Sequence, residues 1–79
     1  MHYYTFSVLI FADGKIRDGL NLLHKSEKPA TIIEFKRDVE RWHAGPPESY
    51  SGLIIPYWQE IDEETYNHIN QNFLTDLDK

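Results

Sequence analysis

The side chains that most often carry catalysis are present in ordinary numbers and in no recognisable arrangement. None of the four serines stands in a Gly-x-Ser-x-Gly sequence, and the chain has no cysteine that could act as a nucleophile. A Ser–His pair would have to be assembled by the fold, because no local sequence indicates one. The sequence therefore predicts a protein without enzymatic activity.

The sequence contains neither a metal-binding spacing of ligands nor a nucleotide-binding loop motif. The histidines lie at positions 2, 24, 43 and 68, without a His-x-x-x-His spacing or a cysteine partner. His43 and Glu40 could share one face of a helix, but a histidine in the last helical turn already complements the helix dipole. The four glycines form neither a Gly-x-Gly-x-x-Gly nor a Walker sequence. We expect no metal and no cofactor.

A group of three acidic residues and one single aspartate could provide acid–base chemistry if the fold buried a carboxylate. Asp62, Glu63 and Glu64 follow one another at the start of a predicted helix, where the helix dipole already favours anions. Asp18 falls on the apolar face of a predicted strand when residues 3–23 are paired as a hairpin with a three-residue loop. A charge on an edge strand discourages aggregation, and we prefer that interpretation to a buried catalytic carboxylate.

The acidic residues are concentrated in the second half of the chain. Residues 1–45 hold seven Lys and Arg against six Asp and Glu, whereas residues 46–79 hold one lysine against seven acidic residues. Such a surface repels phosphate, so nucleic acid is not the expected partner, and a basic protein is the type of partner that it favours. The candidate acidic surface consists of Glu60, Asp62, Glu63 and Glu64. The alternative is that these charges serve solubility alone.

The composition is that of a single folded domain spanning residues 1–79. The chain is 41% hydrophobic and 27% charged, with a net charge of −5. The N-terminal sequence MHYYTFSVLIF lacks a basic region, and Thr5 and Ser7 interrupt its apolar run. We therefore expect neither a signal peptide nor a membrane span, and a cytoplasmic location.

The segment 3–23 predicts a β-hairpin that turns at the Asp-Gly pair. A two-residue turn would mix apolar and polar side chains on each face of the hairpin. We prefer a three-residue loop with Gly14 in the left-handed conformation, which sets Phe6 opposite Leu20 and gathers most apolar residues on one face.

The segment 31–42 predicts a helix with recognisable ends. Thr31 and Glu34 have the spacing of a capping box, and Gly45 with the two prolines after it ends the helix. Its apolar stripe comprises Ile32, Phe35, Val39 and Trp42.

Residues 53–61 predict a third strand, at a sheet edge or interrupted by a bulge, because Pro56 cannot donate to a ladder. Tyr57 is expected to pack inward with Ile55. Asp62 is expected to cap a second helix. The apolar stripe of that helix comprises Tyr66, Ile69, Phe73 and Leu77, flanked by Leu74.

The element order β-β-α-β-α predicts the fold class. A right-handed crossover makes the third strand parallel to the second and antiparallel to the first, so the sheet order is 2-1-3. We expect an α+β two-layer sandwich, in which a three-stranded, mainly antiparallel sheet carries two helices on one face. The other face of the sheet would be uncovered.

This uncovered face and the third strand hold the candidate protein-binding residues. Leu9, Phe11 and Leu23 fall on the uncovered face, and Tyr50 and Trp58 are of the types enriched where binding energy concentrates. Because monomers rarely expose large apolar patches, we expect a homodimer formed through the open sheet face or the edge strand. The expected function is that of a non-enzymatic interaction module, an adaptor or inhibitor. The alternative is a nucleic-acid or small-ligand binder that uses the open sheet face.

Overall fold

The computed structural model describes residues 1–71, which form a three-stranded sheet and two helices. The strands are β1 (His2–Ala12), β2 (Lys15–Ser26) and β3 (Gly52–Ile61), the helices are α1 (Ile32–Trp42) and α2 (Glu63–Ile69), and a short 3-10 helix spans Pro47–Ser49. Both outer strands run antiparallel to β1, in the order β2-β1-β3. The predicted α+β class and strand order are confirmed. The predicted apolar positions Phe73, Leu74 and Leu77 lie outside the described residues.

One face of the sheet, the core face, carries the hydrophobic core. Its β1 residues are Tyr4, Phe6, Val8 and Ile10, each at most 1% exposed. Phe35 and Val39 of α1 pack onto them with 0% exposed. The Phe35 ring stacks on Phe6 with centroids 4.8 Å apart and meets Tyr4 edge-on at 5.3 Å. Every second residue of a strand points to the same face, and helix residues four apart lie on the same side of the helix. The two sets therefore meet in a single core layer.

The β1–β2 hairpin turns in two residues instead of the predicted three. Asp13 and Gly14 both have positive φ, 53° and 75°, as a type I′ turn requires. A bulge at Arg17 then shifts the pairing, so that the register differs by two residues from the predicted one. Because side chains alternate with period two, residues after the bulge keep their predicted faces. Ile16, which precedes the bulge, moves to the face opposite the core.

Helix α1 begins as predicted and differs at its end. Thr31 and Glu34 form both hydrogen bonds of the capping box. Trp42, predicted to complete the apolar stripe, is instead 71% exposed. The core position at this end belongs to Ala44, which is fully buried and donates its N–H to the carbonyl of Val39 at 2.8 Å. Because Ala44 takes the core position at this end of the helix, the Trp42 side chain remains in solvent.

A bulge at Pro56 decides which aromatic residue of β3 faces the core. The ladder to β1 shifts by one residue across it. Trp58 consequently lies on the core face, with its ring centroid 5.5 Å from that of Phe35. Tyr57, predicted to pack inward, is on the opposite face and 52% exposed. A strand without the bulge would have reversed the two.

Helix α2 lies at the end of the sheet far from the β1–β2 turn. Asp62 caps it by accepting a hydrogen bond from the N–H of Thr65 at 2.7 Å. Tyr66 contacts Tyr3, with ring centroids 5.1 Å apart. Tyr3 alternates with the buried side chains of β1, so α2 contacts the face opposite α1, whereas both helices were expected on one face. On the core face, α1 already buries Phe35 and Val39 against the sheet, and Tyr66 packs on the face that α1 leaves uncovered.

Candidate protein interface

The face of the sheet opposite α1 presents a continuous surface that we call the open face. Its members alternate along each strand with residues of the core face, and strand pairing places them side by side. They are Tyr3, Thr5, Ser7, Leu9 and Phe11 in β1, Ile16, Gly19, Asn21, Leu23 and Lys25 in β2, and Gly52, Ile54, Tyr57, Gln59 and Ile61 in β3. Lys25 is the one charged residue among them.

The part of the open face nearest the β1–β2 turn is strongly apolar. Ile16 is 59% exposed and Ile54 is 51% exposed. They flank Leu9 and Phe11, which are half-buried. We call these four residues the hairpin-end cluster. Apolar surface gains about 25 cal/mol for each Å² removed from water, so the cluster has a substantial gain available from association.

The described part of α2 does not reach the hairpin-end cluster. It spans seven residues, and a helix of that length extends about 10 Å. It contacts β1 at Tyr3. Leu9 lies further along β1, about 20 Å from Tyr3 at the rise of an extended strand. The cluster therefore lies beyond the cover that residues 63–69 provide.

Two glycines beside the hairpin-end cluster make its surface uneven, because they carry no side chain next to the large apolar residues. Across the sheet, one row is Ile16, Phe11 and Gly52, and the next row is Gly19, Leu9 and Ile54. A methyl group at Gly52 would have no neighbour within 4 Å, so this position is an open recess. A methyl group at Gly19 would meet Leu9 Cδ2 at 3.6 Å, so this recess is shallower. In β2 the isoleucine is in the Phe11 row and the glycine is in the Leu9 row, and in β3 this order is reversed.

Three of the five predicted protein-binding residues lie together on the open face. Leu9, Phe11 and Leu23 are there, each half-buried among its neighbours. Tyr50 lies elsewhere and packs against the hydrophobic core. Trp58 is 45% exposed, but its ring contacts the core from the other face of the sheet.

Sequence reasoning missed Ile16 and Tyr57, which are the open-face residues next to the two bulges. Ile16 precedes the bulge at Arg17, and Tyr57 follows Pro56. A bulge exchanges the faces of the residues on its two sides. The proline indicated one interruption, whereas no residue type indicated the position of the other.

The acidic surface lies at the end of the sheet opposite the hairpin-end cluster. Glu60 pairs with the imidazole of His2 at 3.0 Å. Asp62, Glu63 and Glu64 are exposed and line an open depression of about 720 Å³. The hydrogen bond from the backbone N–H of Thr65 lowers the pKa of the Asp62 carboxyl, with a smaller contribution from the Thr65 side chain. The Asp62 carboxylate is therefore held as an anion at the start of α2.

A His–Asp pair that the sequence did not indicate lies between β2 and α1. Nδ1 of His24 donates to Oδ2 of Asp38, and Nε2 is buried without a hydrogen-bond partner. A general base must reach a proton of its substrate. The ring of His24 instead lies against Phe35 and Tyr4, with centroids 5.4 Å and 6.0 Å away. We interpret the pair as part of the core.

Residues 1–71 contain neither a metal-binding cluster nor a helix that could cross a membrane. Across residues 1–71, no group of three or more His, Cys, Asp or Glu side chains is placed to hold a metal ion. In the same part of the chain, no helix has both the length and the apolar character needed to cross a membrane. Comparisons of the chain with protein-family models, with curated proteins and with solved structures found no match.

Proposed function

We propose that the protein is a small, acidic, non-enzymatic interaction module that self-associates through its open face. The observation that carries this proposal is the exposure of more than half of Ile16 and of Ile54 on a face with a single charged residue. Monomeric proteins rarely leave a contiguous apolar patch of several hundred Å² in water. A second copy of the same chain is the commonest partner of such a patch in soluble proteins.

The dimensions of the sheet set the expected strength of self-association. Strand β1 has 11 residues, and three such strands about 4.8 Å apart outline roughly 500 Å². Complete overlap of two such faces would remove about 1,000 Å² from water in total, and because α2 contacts the Tyr3 end, overlap confined to the hairpin end removes about half of that. Such an area is typical of weak, transient interfaces, so we expect a dimer dissociation constant on the order of 100 micromolar.

The open face supports association better than either edge strand. Bulges at Arg17 in β2 and at Pro56 in β3 interrupt the rows of backbone groups that an added strand would pair with. Arg17 is also engaged within the chain, because Nη1 donates to the carbonyls of Ala44 at 2.9 Å and Ser49 at 3.1 Å. A ladder built onto either edge would break at these positions.

A nucleic-acid strand is a less well-supported occupant of the open face. Phosphate needs cations, and Lys25 is the only one among the described residues of this face. Tyr57 could stack on a base, since aromatic rings bind bases with little sequence preference. A mobility shift with a mixed single-stranded oligonucleotide tests this alternative, and a shift that Tyr57→Ala abolishes would support it.

The acidic surface is free in a dimer formed through the open face, and it suits a basic protein. Glu63 and Glu64 are both exposed and lie in the first turn of α2. Attraction between exposed charges is screened within about 8–10 Å at physiological ionic strength. Binding of a basic protein to this surface should therefore weaken steeply as salt is added, and Glu63→Gln with Glu64→Gln should reduce that dependence.

Sedimentation equilibrium over about 1–500 micromolar protein tests the self-association. We expect a monomer–dimer equilibrium for the natural sequence and a monomer for Ile54→Glu, because the carboxylate would be desolvated in the interface. Ile33→Glu is the matched control, since Ile33 is 57% exposed on α1 and lies away from the open face. A natural chain that stays monomeric throughout this range, or an Ile54→Glu variant that still dimerises, would contradict the proposal.

A further inference from the structure

We propose that two copies of the chain join in an antiparallel, face-to-face dimer, in which Ile54 of each copy fills the recess over Gly52 of the other. This inference rests on the proposed self-association and specifies its geometry. The two-fold axis would run across the strands, midway between the row centred on Leu9 and the row centred on Phe11.

The pattern of the hairpin-end cluster is self-complementary under this rotation. The rotation brings the row Ile16, Phe11, Gly52 of one copy against the row Gly19, Leu9, Ile54 of the other. Each protruding isoleucine then meets a glycine, and Phe11 meets Leu9. In a two-fold interface each contact occurs twice, so the open recess at Gly52 and the shallower recess at Gly19 are each filled twice.

Other two-fold arrangements of the same face fit less well. An axis through the Phe11 row would place Ile16 against Ile16 and leave Gly52 opposite Gly52. An axis along β1 would bring the two α2 helices together, because each contacts its own open face at Tyr3. Sheets that pack face to face are about 10 Å apart, which leaves no room for two helices between them.

The distribution of charge also favours the antiparallel arrangement with a second copy. Each chain carries a net charge of −5, yet the hairpin-end cluster is uncharged. Tyr3, which marks the acidic end of the open face, lies about 24 Å from the proposed axis, so the two acidic ends would be roughly 40 Å or more apart. That separation is several times the Debye length of about 8 Å at physiological salt. Repulsion between the two copies is therefore small in this dimer.

Exchanging the protrusion and the recess tests the geometry. Gly52→Ile should weaken the dimer by about tenfold or more, because it sets isoleucine against isoleucine in an interface already filled. Ile54→Ala should weaken it by a similar factor, because it leaves the recess empty. The double variant Gly52→Ile with Ile54→Ala should return to within about threefold of the natural dissociation constant, since residue 52 of one copy faces residue 54 of the other.

Sedimentation equilibrium measures the four dissociation constants, and far-UV circular dichroism verifies that each variant is folded. Gly52 has free space beside it and no left-handed φ, so the monomer accommodates a side chain there. If the natural chain dimerises but the double variant is no tighter than the weaker single variant, this geometry is wrong while self-association stands. If the natural chain does not dimerise, the proposed function itself fails.

A second measurement does not depend on the Gly52 variants. Ile16→Ala should weaken the dimer by about tenfold, because Ile16 contacts Gly19 and Leu9 of the other copy. Ile33→Ala on α1 is the control and should leave the dissociation constant unchanged. Equal constants for the natural chain and Ile16→Ala would overturn the proposed packing.

Discussion

Removing the two partners of the His24–Asp38 pair should change stability in opposite directions. Asp38→Ala leaves Nδ1 without its acceptor in a side chain that is 12% exposed and already has an unpartnered Nε2. A buried polar group without a partner costs about 1–3 kcal/mol. Alanine recovers about 0.5 kcal/mol through its higher helix propensity. The free energy of unfolding should therefore fall by about 1.5 kcal/mol.

His24→Leu should have the reverse effect, because it removes the unpartnered nitrogen together with the hydrogen bond. Asp38 is 35% exposed, so its carboxylate regains water when the imidazole is absent. A typical hydrogen bond contributes about 1 kcal/mol net, whereas an unpartnered buried group costs up to about 3 kcal/mol. Leucine also presents apolar surface to Tyr4 and Phe35. We expect the free energy of unfolding to rise by about 1 kcal/mol.

Urea denaturation followed by circular dichroism measures both changes. A domain of this size has a total stability of about 4–12 kcal/mol, so shifts of this size move the midpoint measurably. An unchanged m-value would show that the variant alters stability and not the extent of unfolding. A His24→Leu variant that loses about 1 kcal/mol or more would refute the reasoning, because Nε2 would then have a partner in solution.

Three further substitutions have expected outcomes. Tyr4→Phe should lower the free energy of unfolding in urea by about 1–3 kcal/mol, because the buried N–H of Ala30 loses its acceptor, the Tyr4 hydroxyl at 2.8 Å; an unchanged value would mean that water replaces it. Gly14→Ala should cost about 1 kcal/mol by the same assay, since Gly14 has a φ of 75° and free space around it, so strain is the sole penalty. Hydrogen bonds from Thr31 lower the pKa of the Glu34 carboxyl from its ordinary value of 4.5. The stability that this lowering gives is complete above that value and lost as the pH falls through the lower folded pKa. The thermal midpoint should therefore fall more steeply below pH 4.5 for the natural chain than for Glu34→Gln, and parallel curves would contradict this.

Local patterns determined the elements and the core layer. The alternation of Tyr4, Phe6 and Val8 and the spacing of Phe35 and Val39 are properties of a strand and a helix taken separately, so they are visible in the sequence. The predicted hairpin register was wrong by two residues. The assignment of faces survived beyond the bulge because a shift of two preserves the parity of a strand.

The candidate site was predicted in part for the same reason. Leu9, Phe11 and Leu23 lie in regular stretches of β1 and β2, where parity is sufficient to place them. Ile16 and Tyr57 lie beside bulges, where one extra residue reverses the faces. The position of a bulge depends on how two strands twist together, and single-strand periodicity does not contain it.

The sequence by itself determined the order of the strands, the capping box of α1, the position of the hairpin turn and the concentration of acidic residues near one end. Only the tertiary structure decided that Trp42 is exposed, that Trp58 faces the core, and that α2 contacts the open face. It also brought Gly19 and Gly52 beside two protruding isoleucines. Each of these outcomes depends on which segments meet across the sheet, because a side chain is buried by its neighbours in space and its own sequence context fixes only its direction.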